Sequence, residues 1–173
     1  VNNKKIKGIL NYTPSYNKLI INFDLEEVRS QEIIEFIQNR DFSKIILSEK
    51  NKTVEIPICY DEEFALDIKR LEEKTKLSFK EIVNEHLSTD FFVYMIGFVP
   101  DQPFLGDLNK NLNHDRLDTP RVKIDKGSVG IVEKFCTIYT FESPGGWNII
   151  GKTPFDLFNI NKKNFLKVVT RYL

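Results

Sequence analysis

From residue 91 onward the chain is a series of short apolar runs cut by glycine, proline and aspartate. No other feature restricts its fold as much. The runs read FFVYMIGFV, PDQPFLGDL, RVKI, GSVGIV, CTIYTF, SPGGW, NIIGKTP and DLF. Many short strands with Gly/Pro punctuation predict a β-barrel or sandwich. The longest apolar run, residues 91–100, is far below the roughly 20 residues that cross a bilayer and fits a buried strand.

The first third reads differently. In residues 18–24 (KLIINFD), Leu19, Ile21 and Phe23 share a face by period two, as in a strand. Around residues 28–38, Ile33, Phe36 and Ile37 recur at helical spacing, so they share one side of a helix. Residues 53–60 (TVEIPICY) alternate again. Pro57 marks a strand end or an edge, because it offers no N–H to a ladder. Two short helices follow. Residues 67–76 put Ile68 and Leu71 on one side. Residues 78–86 open with Ser78-Phe79-Lys80-Glu81, a capping box in which the serine oxygen and the glutamate carboxylate satisfy free amide donors. The tail, residues 165–173, is expected to be a last strand. The whole predicts an α+β chain with a boundary near residues 50–60.

Composition narrows the function. A hydrophobic share of 41% and an aromatic share of 12% supply enough apolar surface to offset the ordering entropy of a folded core. Twenty-five basic residues balance 25 acidic ones, so the chain lacks the basic excess of a general nucleic-acid binder. The N-terminus has no signal-peptide pattern. With two distant cysteines, Cys59 and Cys136, we expect a reduced, cytoplasmic protein. These cysteines and the two histidines, His86 and His114, form no zinc spacing, and no metal site is expected. His86 ends a helix and is placed to cap its last carbonyls, whereas His114 lies in a polar loop. Neither nucleotide-binding fingerprint occurs, nor does a nucleophile elbow.

Glu142-Ser143-Pro144-Gly145-Gly146-Trp147 stands out between two strand-like runs. One reading is a hairpin loop anchored by Trp147, with Gly145 or Gly146 at positive φ. The other is a site in which the glycine amides hold an anion beside Glu142 and Ser143. Thr119-Pro120-Arg121 supplies an arginine fork suited either to a carboxylate or phosphate ligand or to a structural salt bridge.

Taken in order, the segments EIPICY (55–60), VYMIGF (93–98), Pro103-Phe104-Leu105-Gly106, Thr119-Pro120-Arg121, GSVGI (127–131), ESPGGW (142–147) and IGKTP (150–154) resemble the KipI / allophanate hydrolase subunit 1 family. That family includes a subunit of the bacterial 5-oxoprolinase, and related domains occur in urea carboxylase. The resemblance covers roughly residues 9–160.

It implies a ferredoxin-like α/β subdomain over residues 1–52 and a cyclophilin-like β-barrel with two short helices over 53–173. It implies a non-autonomous subunit that works with a second carboxyltransferase-type subunit and a LamB/YcsF-type protein. Together they open the lactam of 5-oxoproline to glutamate, with ATP activating the lactam carbonyl by phosphorylation. Arg121, Glu142 and Ser143 become the catalytic candidates, with Arg121 facing a substrate carboxylate or phosphoryl group. Pro103, Phe104, Thr119, Gly145, Gly146 and Trp147 become the substrate-binding candidates. The alternatives are an inhibitor of a sensor histidine kinase, the role of the family's name-giver, and a paralogue that keeps the fold without activity.

The chain also departs from the family pattern. Asp101 and Gln102 replace a glycine and an aromatic residue. Glu133, Phe135 and Thr137 stand where the family has glycine, glutamine and glycine. A second arginine-bearing Thr-Pro-Arg is reduced to His114-Asp115-Arg116. The start is a strand and a helix shorter than the family pattern. If these positions bind ligand, the chain is expected to bind it more weakly or differently.

Overall fold

The computed structural model describes residues 6–41 and 52–158, together with the backbone of 170–172. The chain divides into two compact units, Val1–Lys50 and Asn51–Leu173.

In the first unit, β1 (Ile9–Ser15) and β2 (Lys18–Phe23) form an antiparallel hairpin. Helix α1 (Ser30–Gln38) buries Ile33 and half-buries Phe36 and Ile37, the face that periodicity predicts. Its first turn is closed by Glu32, whose carboxylate accepts from the Arg29 amide at 3.1 Å. One hairpin and one helix are the elements described in residues 6–41. They do not establish a ferredoxin-like arrangement.

The second unit is built on a seven-stranded sheet. Its strands are β3 (Lys52–Val54), β4 (Phe91–Ile96), β5 (Pro103–Gly106), β7 (Ser128–Val132), β8 (Phe135–Ile138), β10 (Asn148–Lys152) and β11 (Thr170–Tyr172). Their order is β10-β7-β8-β5-β4-β11-β3. A separate ribbon pairs β6 (Arg121–Ile124) with β9 (Ser143–Gly145). Helices α2 (Ile68–Thr75) and α3 (Phe79–Leu87) lie where the sequence predicts them. The Ser78–Glu81 capping box is formed. Of the expected last strand, Thr170–Tyr172 pairs with β3 and β4, and the remainder lies outside the described residues.

Period-two alternation sorts the sheet into two faces. Val93, Leu105, Val129, Ile131, Cys136, Ile138 and Ile150 form a core with Leu71 of α2 and Ile82 of α3. Their neighbours in sequence, Phe104, Gly130, Thr137 and Ile149, point to the opposite face. There a second cluster of Ile124, Tyr139 and Ile149 packs beneath the β6–β9 ribbon. Every residue of β7 is buried because both of its faces are covered.

The described ladders do not establish the expected closed barrel. Among the described residues no continuous ladder joins edge strand β3 to edge strand β10. The strand expected over 53–60 keeps its ladder only to Val54. Beyond it the chain crosses as an extended strap whose Ile56, Ile58 and Tyr60 pack on the core. It meets the far edge at an isolated bridge between Cys59 and Lys152, with N···O distances of 2.8 and 2.9 Å. Pro57 supplies the physical reason: without an N–H the strap cannot continue a ladder. No helix among the described residues is long and apolar enough to cross a membrane.

Candidate functional site

On the sheet face away from the helices lies a cavity of about 390 Å³, walled by Phe98, Gln102, Phe104, Arg116, Pro120, Tyr139 and the Pro144–Trp147 segment. Four aromatic rings make most of this wall apolar. Phe104 and Trp147 meet edge to face, with ring centroids 5.7 Å apart. Arg116 is the one charged residue among the lining residues, and it is exposed.

The glycines act by proximity rather than by turn geometry. Gly145 ends β9 and pairs with Arg121 across the ribbon, so no left-handed turn forms there. A Cβ at Gly145 would run into the Tyr139 hydroxyl and come within 2.7 Å of Ile124 Cδ1. Tyr139 is 2% exposed. Burial pushes its phenol up to about 12, against the pull of Arg116, Arg121 and a hydrogen bond from the Trp147 backbone. It enters the wall as a neutral, well-packed ring.

The sequence-predicted residues separate into two groups. Phe104, Gly145, Gly146 and Trp147 line the cavity. Thr119 is exposed beside the lining Pro120, and Pro103 is buried within β5, where its carbonyl accepts from Thr137. The catalytic trio does not assemble. Arg121 is bound bidentately by Asp67, at 3.0 and 2.7 Å, so its fork is spent on a partner in its own fold. Asp67 is 5% exposed, and its carboxylate also accepts from the Ile149 amide at 2.7 Å. Glu142 pairs with Lys123 at 2.6 Å, with both side chains more than half exposed. The Ser143 hydroxyl is buried without a hydrogen-bond partner among the described residues. Thus Arg121 follows the structural salt-bridge reading.

That ion pair still serves the cavity. It fastens the start of β6 to the N-terminus of α2 and to β10. Arg70 of α2 bonds Asn148 of β10, whose amide donates to the Asp115 carbonyl at 3.0 Å. The Leu117 amide donates to the Gly146 carbonyl at 2.7 Å. These contacts hold the 115–121 loop, and with it Arg116 and Pro120, against the ESPGGW segment.

Sequence reading missed Tyr139 as a wall residue and named Gln102 and Arg116 only as departures from the family pattern. Gln102 carried a signal, since a polar side chain stands there ahead of an apolar strand. It is 2% exposed, and its Nε2 donates to Thr137 Oγ1 at 3.2 Å. His86 does not cap its helix. Its ring nitrogens contact Tyr60 Oη at 2.8 Å and Cys136 Sγ at 3.4 Å, on the core side of the sheet. His114 is half-buried in its loop, and its carbonyl accepts from the Glu133 amide at 2.8 Å.

Comparison with known proteins agrees with the fold. The sequence profile of the carboxyltransferase domain, subdomains C and D, matches residues 1–167. A Bacillus subtilis (strain 168) protein named as a 5-oxoprolinase subunit is 42% identical over 107 residues, covering 62% of this chain and 45% of that protein. Its Haemophilus influenzae namesake is 38% identical over 113 residues, covering 65% of this chain and 53% of that protein. The chain therefore spans about half the length of these relatives. The crystal structure of TTHA0988 superposes at a TM-score of 0.78 and 23% identity, over 98% of this chain and 33% of that one, a likeness of fold. With the profile matched over nearly its whole length, the chain belongs to the carboxyltransferase domain family of subdomains C and D.

Proposed function

We propose that the chain is a subunit of an ATP-dependent amidohydrolase of the 5-oxoprolinase type, and that it supplies the seat for 5-oxoproline. The observation that carries this reading is the cavity beside the ESPGGW segment: small, largely aromatic, with one arginine at its edge. A five-membered ring lies flat on such walls, and a guanidinium takes a carboxylate through two parallel hydrogen bonds. Arg116 is the residue for that contact, because Arg121 is already paired. The names of the relatives support the substrate.

The chain binds and orients, and the chemistry falls to its partners. The lining residues include no cysteine, serine or histidine to act as an activated nucleophile. Tyr139, held up to about 12, is a poor base at neutral pH. The same wall does not fit ATP. A triphosphate calls for several cations or a nest of backbone amides at a helix N-terminus, and among the lining residues only Arg116 is cationic. We therefore assign nucleotide handling to the second carboxyltransferase-type subunit and the LamB/YcsF-type protein. Cys59 and Cys136 are free thiols, which fits a reducing cytoplasm.

The test is reconstitution. The chain, co-purified with both partners, is expected to release glutamate from 5-oxoproline when ATP is present. Arg116→Ala is expected to raise KM at least tenfold while kcat changes little, because the carboxylate contact acts in the ground state as much as in the transition state. A folded, complete mixture that releases no glutamate overturns the assignment.

A further inference from the structure

Gln102 forms part of the cavity wall while 98% buried, with its relative exposure at 2%. The orientation of its amide is fixed by its neighbour. Thr137 donates its hydroxyl proton to the Pro103 carbonyl at 2.7 Å. Its oxygen can then only accept from Gln102, so the contact at 3.2 Å is made by Nε2. The amide oxygen, Oε1, is left as a buried acceptor without a partner among the described residues. Such a group is costly to leave unmade in a packed interior, where water does not discharge it.

We propose that Gln102 recognises the ligand, its side-chain carbonyl accepting a hydrogen bond from a ring N–H of a small cyclic amide acid whose carboxylate meets Arg116. This deepens the reading of the cavity as a substrate seat and rests on it. Oε1 is sealed from solvent, so a donor carried by a ligand packed on the aromatic wall reaches it only through a local shift of that wall. A ring that presents an oxygen at that point sets acceptor against acceptor and is rejected. A site built to hydrogen-bond an N–H discriminates strongly against the analogue that lacks it.

The experiment compares two probes on the full chain, alone and with its second subunit: 5-oxoproline, and the lactone acid in which oxygen replaces the ring N–H. Calorimetry or amide chemical shifts give the two dissociation constants. The wild type is expected to prefer the lactam at least tenfold. Gln102→Met keeps the side-chain length without the amide and is expected to abolish that preference. Its unliganded melting temperature should hold or rise, because an unpaired buried acceptor has gone. Arg116→Ala should weaken both rings alike. An absent preference, a preference unchanged in Gln102→Met, or no binding of either ring at millimolar concentration overturns the proposal. Glutamate release in the reconstituted complex is scored separately. Activity combined with equal lactam and lactone affinity sinks the role of Gln102 and leaves the proposed function standing. Lactam preference without glutamate release does the reverse.

Discussion

His86 offers the sharpest quantitative test of how α3 sits on the sheet. Its ring is 4% exposed, bonded to Tyr60 and Cys136, and 5.0 Å from the Phe91 ring between centroids. Burial pushes the Tyr60 phenol and the Cys136 thiol upward, so both stay neutral and neither offsets an imidazolium. The same burial pushes the imidazole down from 6.5 to about 4. The sign follows. Between these values the unfolded chain takes up a proton that the folded ring refuses. The stability this ring contributes is complete above pH 6.5 and drains away as pH falls through 4. Linkage with these two values gives a loss of about 2.5 kcal/mol between pH 7.5 and 4.5. Carboxylates also titrate in that range, so the measurement is a difference: urea denaturation of the wild type and His86→Leu at a series of pH values. The gap between the two stabilities is expected to shift against the wild type by about 2.5 kcal/mol across the range. Parallel curves would refute a neutral ring sealed between α3 and β8.

Asp67→Asn removes the charge facing Arg121 and one acceptor from a carboxylate that also holds the Ile149 amide. The expected loss is about 2–3 kcal/mol in the urea midpoint analysis, with weaker ligand binding as the 115–121 loop loosens. Gly145→Ala drives a methyl group toward the Tyr139 hydroxyl and Ile124. It should cost about 1–3 kcal/mol by thermal melting and distort the cavity enough to lower ligand affinity. Glu142→Gln breaks an exposed pair with Lys123. It should leave both the melting temperature and substrate KM at wild-type values, and a large loss of activity would restore Glu142 to the site.

What could be read from the string is what depends on near neighbours. The spacing of Ile33, Phe36 and Ile37 picked out the packed face of α1, and Ser78 with Glu81 marked the start of α3, because each signal lies within a few residues. Pro57 likewise announced where a ladder would fail. Polar partners are another matter. Arg121 finds Asp67 at a separation of 54 residues, and nothing in Thr119-Pro120-Arg121 says that a buried carboxylate waits at the foot of α2. The positions that depart from the family pattern teach the same lesson. Read along the chain, Gln102 and Thr137 look like two separate erosions of a binding loop. In the fold they are bonded to each other across 35 residues, and Thr137 is bonded in turn to the Pro103 carbonyl. Here the hydroxyl is satisfied on both sides, and the one atom left over, Gln102 Oε1, belongs to a residue of the cavity wall. On the proposed reading, this bonded pair leaves Oε1 as the acceptor that a donor on the ligand would meet.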